Sequence, residues 1–455
     1  MDFFTSKNFF KLKSASQNRI FNIPKRIYNT RIPMNEDFLH YLWRFRLIQS
    51  PLFTSQNKEI VVLNPGMHNT DAGPDFILAK IKIGDTIWAG NVELHIQASD
   101  WNRHLHQNDK AYNSTVLHVV YCCDKDIRLE NGESIPCVEL KDKFKPELLE
   151  KYEGFLRSKK WIPCSGQLAD FPKIKLNALY SRMSIERLEE KTQVILKRLE
   201  KNKNDWEETF YQVLAGGFGL KINQEVFLRL AESLSLKKVI WQHTNLFQIE
   251  ALLFGQAGLL QNNSFTDDYP LSLKKEYDYL TKKYQLNHLP GYLWKYLRLR
   301  PYNFPTIRIS QFAALVFSSQ NLFSKIIELE KIEELIKLFQ VSTSTYWDTH
   351  YVWDKKTLLS PKKLSDERIN LLLINVVIPF LFLYGKQRNQ EKLIDRALHY
   401  LELISGEKNK STKSFAREGL LFHSAFQTQA LLQLKARYCD LKKCLECPIG
   451  LHLLK

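Results

Sequence analysis

Histidines and carboxylates are concentrated between residues 66 and 121, which makes this stretch the first candidate for chemistry. Five of the twelve histidines lie in it: His68, His95, His104, His106 and His118. Asp75 and Glu93 lie in the same stretch. Imidazole nitrogens and carboxylate oxygens are the common protein ligands of divalent metal ions. The stretch therefore predicts a metal site.

Two chemistries fit these residue types. In the first, Asp75 and Glu93 hold Mg²⁺ or Mn²⁺, and His95 orients a water molecule or stabilises developing charge. His104, His106, Asp109 and His118 then line the pocket or hold it in shape. In the second, a set of histidines and one acid builds a zinc site with an open position for hydrolysis by metal-bound water. The members of that set are His95, His104, His106, Asp109 and His118. His118 alone also fits a histidine of the core.

A β-hairpin is predicted to position the acids. Residues 76–83 and 86–96 alternate apolar and polar side chains, and Gly84-Asp85 between them is a two-residue turn signal. Side chains two apart on a strand point to the same face, so Glu93 and His95 are expected to lie together.

Neighbouring segments predict a compact α/β or α+β domain over residues 34–144. Asn35 is a helix cap followed by an acidic first turn, and residues 59–63 predict a strand. The apolar run 116–121 predicts a further strand that pairs beside the hairpin and brings His118 with it. The spacing of His104 and His106, two apart, favours a loop or strand over a helix.

The rest of the chain has a different character, because helical periodicity dominates residues 145–438. No repeat of fixed period is present, which argues against a solenoid. The longest apolar run, Leu371 to Tyr384, is shorter than the roughly 20 residues that a membrane span needs. It predicts a buried core helix that Pro379 kinks or ends.

Basic residues alternate with aromatic ones between Leu297 and Gln311. Arg298, Arg300 and Arg308 lie there with Tyr302 and Phe304, a mixture that can follow a nucleic-acid backbone and stack on bases. The alternative is a buried loop whose arginines pair with acids.

A cysteine cluster ends the chain, in the segment 439–455. Cys439, Cys444 and Cys447 offer three thiolates, and Cys164 is predicted to supply the fourth, with His452 as the alternative. Such a set would bind Zn²⁺ or a [4Fe-4S] cluster, and residues 439–455 would then pack on the region of Cys164. Free reduced cysteines are the other interpretation.

Composition favours a cytoplasmic protein with a polyanionic partner. The chain has 455 residues and a formal net charge of +16, and Lys and Arg gain affinity for phosphates by releasing counterions. The alternative is that this positive charge only keeps the protein soluble. Seven cysteines in so long a chain do not indicate a secreted disulfide framework. No signal peptide or membrane span is predicted, and residues 1–33 predict a poorly ordered basic extension.

The order of these elements resembles the PD-(D/E)XK nuclease superfamily. Pro74-Asp75 matches the PD of its motif, Glu93 matches the second acid, and His95 occupies the position of the lysine. Glu36 matches an additional acid on the preceding helix. The resemblance implies a restriction-endonuclease-like core with a mixed sheet and a metal-dependent phosphodiesterase acting on DNA or RNA. Some members also hold an iron-sulfur cluster with one remote and three clustered cysteines.

The whole chain resembles a bacterial family, typical of Bacteroidetes, that is described only as a domain of unknown function. The motifs that carry this resemblance are NEDFLHYLW (35–43), AGPDF (72–76), GNVELH (90–95), DW with HxH and D (100–109), WIPC (161–164) and CLECPIG (444–450). The predicted function is a metal-dependent nuclease. The alternatives are a nucleic-acid-binding or scaffold protein with a decayed nuclease core, and a zinc hydrolase of small substrates.

Overall fold

The computed structural model describes residues 34–169, 171–242, 245–262, 264–319 and 321–455. The chain divides into two compact units, Met1–Pro146 and Glu147–Lys455. The extension predicted for residues 1–33 lies outside the described residues. The segment 439–455 is part of the second unit rather than a unit of its own.

A mixed seven-stranded sheet forms the first unit. Its strands are β1 (Leu52–Phe53), β2 (Glu59–Asn64), β3 (Met67–His68), β4 (Phe76–Ile83), β5 (Thr86–Gln97), β6 (Thr115–Cys122) and β7 (Cys137–Glu139). Their order is β1-β2-β4-β5-β6-β7, with β3 paired to β4. The pairs from β1 to β5 are antiparallel, whereas β5 with β6 and β6 with β7 are parallel. The predicted mixed α/β architecture is confirmed at this level.

The predicted hairpin and first helix are both present. β4 and β5 pair up to Ile83 and Thr86 around the Gly84-Asp85 turn. Helix α1 (Glu36–Arg44) begins after Asn35, whose side chain accepts a hydrogen bond from the backbone N–H of Phe38 at 3.0 Å. A short helix, α2 (Asp100–Arg103), follows β5. In the parallel register, Glu93 of β5 lies opposite His118 of β6.

The second unit is helical, as predicted. Its helices are α3 (Pro146–Arg157), α4 (Lys173–Lys201), α5 (Trp206–Phe218), α6 (Leu220–Ser233), α7 (Leu236–Ile240), α8 (Leu246–Gln256), α9 (Asp268–Tyr284), α10 (Pro305–Ser318), α11 (Leu322–Glu328), α12 (Ile332–Leu338), α13 (Asp366–Leu372), α14 (Ile378–Arg388), α15 (Glu391–Leu403), α16 (Lys410–Arg417), α17 (Ala425–Gln433) and α18 (Pro448–Leu454). One continuous apolar core joins most of them.

The longest apolar segment lies in a helical run from Asp366 to Arg388. A π-helical segment, Leu373–Val377, joins α13 to α14 within it. Among the described residues, this run is the one helix long and apolar enough to cross a membrane, but 72% of its apolar window is buried inside the protein. The predicted core helix is therefore confirmed. Pro379 does not end it, because the helix continues to Arg388; the π-helical turn comes just before the proline.

Gly90 on β5 tests how tightly the sheet is packed. A Cβ atom at Gly90 would lie 2.4 Å from Cγ1 of Val116 and 2.5 Å from the carbonyl oxygen of Ser114. Because backbone cannot yield as a side chain does, we expect Gly90→Ala to lower the free energy of unfolding by about 1–3 kcal/mol. Urea unfolding followed by circular dichroism measures this change.

The matched control is Gly84→Asn. The turn position has φ +58° and nothing within 4 Å of an added Cβ atom, and Asn tolerates the left-handed region. A loss for Gly90→Ala no larger than that of this control would contradict the packing argument.

Candidate metal centre

Three imidazoles converge at one end of β5. Strand β5 carries His95, and the loop that follows α2 carries His104 and His106. Nε2 of His95 lies 3.2 Å from Nδ1 of His104. One ligand nitrogen from each of the three rings lies within 4.8 Å of the other two. This is the donor set that a metal ion needs.

Glu93 adds a carboxylate oxygen to the three imidazoles. Its Oε1 lies 3.3 Å from Nε2 of His106 and 3.6 Å from Nε2 of His95. Donors at the corners of a tetrahedron about 2.0–2.1 Å from a central zinc ion are separated by roughly 3.3–3.4 Å. The measured separations of 3.2–3.6 Å between neighbouring donors are close to this value. The three imidazoles form the group whose donor atoms all lie within 4.8 Å of one another, and Glu93 lies beside His95 and His106.

The loop conformation brings the two outer histidines to this position. His104 ends α2, and Leu105 follows in the left-handed region with φ +63°. This reversal separates the rings of His104 and His106 by 5.5 Å. The His106 ring then stacks on Tyr112 with a centroid distance of 3.9 Å. The predicted loop conformation of the His-x-His pair is confirmed.

His118 supports His95 from the neighbouring strand. Nε2 of His118 lies 2.8 Å from Nδ1 of His95. Burial lowers the pKa of His95 to about 2, and the surrounding histidines add to the shift. Burial likewise lowers the pKa of His118 to about 3. Both rings are therefore neutral. A proton on Nδ1 of His95 that is donated to His118 leaves the Nε2 lone pair directed at the donor set.

Asp75 is anchored beside the cluster. Its Oδ2 accepts a hydrogen bond from the backbone N–H of Leu94 at 2.9 Å and lies 3.2 Å from Nε2 of His40. Its own backbone N–H donates to Oε2 of Glu93 at 3.0 Å. Burial would lower the pKa of His40, but the hydrogen bond and charge of Asp75 outweigh burial and raise it. Asp75 thus holds the side chain of Glu93 in place through its backbone N–H.

Helix α1 supplies two groups near the cluster. Burial raises the pKa of Glu36, on which the charges of His104, Asp75 and His40 also act. Sequence reasoning found Glu36 but missed His40. The i, i+4 spacing of these two residues on one helix face was the signal that could have found it.

Asp109 lies outside the donor set. Its side chain is exposed and caps the turn Lys110–Tyr112 by accepting a hydrogen bond from the backbone N–H of Ala111 at 2.9 Å. It shapes the loop that carries His106, as one of the two predicted roles requires.

One side of the imidazole cluster is buried in the protein, and the other side is exposed to solvent. Glu93 and His95 are 4% and 1% exposed, whereas His104 is exposed to solvent. A metal ion held there would be shielded by the sheet and reached by water and substrate from the side of His104.

Comparison with known proteins gives a family. A model described as "Protein of unknown function (DUF2851)" matches residues 36–410. The chain belongs to this family. No curated protein and no solved structure matches it. The predicted resemblance to a family of unknown function is confirmed, while the resemblance to PD-(D/E)XK nucleases stays a prediction. The matched range contains His95, His104, His106 and Glu93, and it ends before Cys439.

The three arginines predicted to bind nucleic acid differ in their surroundings. Arg298 and Arg300 are exposed. Arg308 is 5% exposed on α10 and donates to the side-chain oxygens of Gln311 at 2.7 Å and Asn303 at 2.6 Å. Arg308 therefore forms no part of an exposed basic strip.

The four cysteines predicted to form a site lie near one another in the second unit. Burial raises the pKa of Cys164 to about 12, and Cys447 contributes to the shift. Burial also raises the pKa of Cys444 to about 12, and Cys447 and Cys164 add to it. The pKa of Cys439 is raised by burial and by all three other thiols. His452, the alternative fourth ligand, instead lies 3.2 Å from Nζ of Lys175.

Metal binding provides a direct test of the imidazole set. We expect the protein to bind Co²⁺ with visible absorption bands of nitrogen and oxygen ligation. Because each variant removes a ligand, His104→Ala and His106→Ala should weaken binding by about 10²-fold; removal of a supporting partner already costs about 10–100-fold. Thiolate ligation gives intense near-ultraviolet charge-transfer bands, so binding at the cysteines is distinguished.

The matched control for this titration is His399→Ala. His399 is an exposed histidine of α15, and its removal should leave Co²⁺ affinity unchanged. Equal affinity in the control and in both ligand variants would show that these imidazoles hold no metal.

Proposed function

We propose that the first unit is a metal-dependent hydrolase whose metal ion is held by His95, His104, His106 and Glu93. The observation that carries the proposal is the spacing of these donors, 3.2–3.6 Å between the measured pairs.

The donor types favour a transition metal of the zinc type over Mg²⁺. Three of the four donors are imidazole nitrogens, which suit Zn²⁺, whereas Mg²⁺ prefers an all-oxygen octahedral site. A metal of this type lowers the pKa of a bound water molecule and polarises the bond to be cleaved. Among the ions expected from the sequence, Zn²⁺ therefore suits this site better than Mg²⁺ or Mn²⁺.

The surrounding residues have separate roles in this proposal. Asp75 positions Glu93 through its backbone N–H, and His118 positions His95. Glu36 is half-buried, and its raised pKa suits a group that takes a proton from the attacking water and passes it to the leaving group.

Phosphodiesters are the proposed substrates. The net charge of +16 favours a polyanion, and hydrolysis of a phosphodiester needs a metal ion, a positioned water molecule and stabilisation of negative charge. DNA and RNA are the polyanions that fit, which agrees with the nuclease predicted from the sequence.

A second candidate uses the carboxylates instead of the imidazoles. In a restriction-endonuclease-like core, Asp75 and Glu93 would bind Mg²⁺ or Mn²⁺, with His95 in the lysine position. The hydrogen bond from the Asp75 backbone to Glu93 favours it, because that bond places the two acids side by side.

Hydrolysis of bis(p-nitrophenyl) phosphate tests the proposed function. With Zn²⁺ or Co²⁺ we expect turnover that falls at least 100-fold in kcat/KM for Glu93→Gln and for His104→Ala, because each removes a ligand. His399→Ala should keep full activity. The monoester p-nitrophenyl phosphate and the carboxylic ester p-nitrophenyl acetate test the preference for diesters.

The same assay separates the two metal sites. Turnover that requires Mg²⁺ or Mn²⁺, survives in His104→Ala and is lost in Asp75→Asn would replace the imidazole site by the carboxylate site. If no metal supports turnover while nucleic acid binds in a salt-sensitive manner, the non-catalytic alternative holds and the hydrolase proposal fails.

For the cysteine site we propose a [4Fe-4S] cluster with a structural role. Sulfur ligands of one zinc ion lie roughly 3.8 Å apart, given Zn–S distances of about 2.3 Å. Among the described residues, the three imidazoles are the one group of three or more donors in which every donor atom lies within 4.8 Å of the others. No three of the four thiols are that close to one another, so the thiols are spaced more widely than a zinc ion requires. A cluster of four irons accommodates wider spacing.

Anaerobic purification tests the cysteine proposal. We expect brown protein with equal amounts of iron and acid-labile sulfide, and loss of both in Cys444→Ser because one ligand is removed. Cys122→Ser, which alters a cysteine of the other unit, is the control and should keep the cluster. Zinc in place of iron, or no metal at all, would contradict the assignment.

A further inference from the structure

The helical unit contains a large cleft lined by positive charge. Its volume is about 820 Å³, within the range of roughly 300–1,000 Å³ for sites that bind small molecules. Its cationic lining residues are Arg187, Lys191, Lys221, Arg308 and Arg368. Among the described residues that line it, Glu407 supplies the single carboxylate.

Two cations of the cleft are held by neutral hydrogen-bond partners. Nζ of Lys191 donates to the carbonyl oxygen of Ile374 at 3.2 Å and to the side-chain oxygens of Asn375 at 3.0 Å and Gln429 at 2.7 Å. Nε of Arg187 donates to the same oxygen of Gln429 at 2.7 Å. These oxygens satisfy the N–H donors but carry no net charge, and the one carboxylate of the lining, Glu407, acts on both cations.

Arg308 adds an unsatisfied donor. Two of its nitrogens donate to Gln311 and Asn303, while its Nε is buried without a hydrogen-bond partner in the part of the chain that the structure describes. Burial lowers the pKa of Arg308 to about 10, and the charge of Arg368 adds to the shift. Burial lowers the pKa of Lys191 to about 7, with Arg187 as the next cause. Arg187 thus repels Lys191 and Arg368 repels Arg308, and a bound anion would relieve both repulsions.

The backbone around Lys191 is irregular in a way that supports a binding role. The π-helical segment Leu373–Val377 carries both Ile374 and Asn375, which hold the ammonium group. Single π-helical turns inside α-helices occur frequently at functional sites. Gly217 of α5 allows the close approach of this segment, because a Cβ atom there would lie 3.0 Å from Cγ2 of Val376.

We propose that this cleft binds a small molecule that carries two or more phosphate groups. Such a ligand supplies several negative charges and acceptor oxygens to five cationic side chains that share one carboxylate, Glu407, and Arg guanidinium groups match phosphate oxygens in pairs. The site lies within the helical unit and is independent of the proposed hydrolase centre.

Thermal unfolding with inorganic pyrophosphate or a nucleoside triphosphate tests this proposal. The experiment uses the His104→Ala chain with EDTA present, so that the metal centre contributes nothing. We expect each probe to raise Tm, and citrate at equal charge to have a smaller effect. Arg187→Met and Lys191→Met should each weaken pyrophosphate binding at least tenfold, because each removes a cation from the cleft.

Lys191→Met also separates binding from structural support. If Lys191 serves the ligand, its removal abolishes the rise in Tm on addition of pyrophosphate, whatever its effect on the Tm of the free protein; if Lys191 serves the fold alone, the free protein melts lower but the rise on addition is kept. Lys386→Met, an exposed lysine of α14 that pairs with Glu189 at 2.8 Å, should keep the shift.

Three outcomes would overturn the proposal. They are no shift with any phosphate compound, an equal shift in Lys191→Met, and a response confined to oligonucleotides, which would make the cleft part of a nucleic-acid surface.

Discussion

The pairing of β5 with β6 is the constraint on which the metal centre depends. This parallel register places Glu93 opposite His118 and brings Nε2 of His118 to 2.8 Å from His95. Buried polar groups are costly unless they are paired, so a shift by one residue would turn Glu93 and His95 to the other face and leave their partners unsatisfied. The hydrogen bonds between the backbone and side chains of Asp75, Glu93 and Leu94 hold the other neighbour of β5, because they join it to the start of β4.

The two units contain groups of side chains that suit ligands of opposite charge. In the first, acids and neutral imidazoles face one another around a space that suits a cation. In the second, Arg187, Lys191 and Arg308 are held by amide and carbonyl oxygens around a cleft that suits an anion. Stability alone favours neither arrangement, because replacing buried charged groups by well-packed apolar residues often leaves the free energy of unfolding unchanged or raises it. These two arrangements are the basis of the ligands proposed for each unit.

Local patterns gave much of the fold. The alternation of β4 and β5, the Gly84-Asp85 turn and the Asn35 cap depend on a few adjacent residues, and all three are present as predicted. Helical periodicity predicted the helical region, whereas the mixed sheet came from the resemblance to a nuclease core. Of the two effects predicted for Pro379, ending the helix does not occur, because the helix continues to Arg388 after a π-helical turn. One residue was missed: His40 joins the cluster through its contact with Asp75. This contact has no strong local signature.

The sequence by itself determined which residue types were available and which of them share a strand face. Glu93 and His95 must lie together because side chains alternate along a strand. The tertiary structure decided how donors from separate elements combine. It grouped His95 with His104, His106 and Glu93, left Asp75 in a supporting position, set Asp109 on the rim, and buried Arg308 apart from Arg298 and Arg300. Spacing along the chain does not fix these choices, because they depend on the left-handed turn at Leu105, the parallel register and the packing of α10, each of which is set by contacts between distant residues.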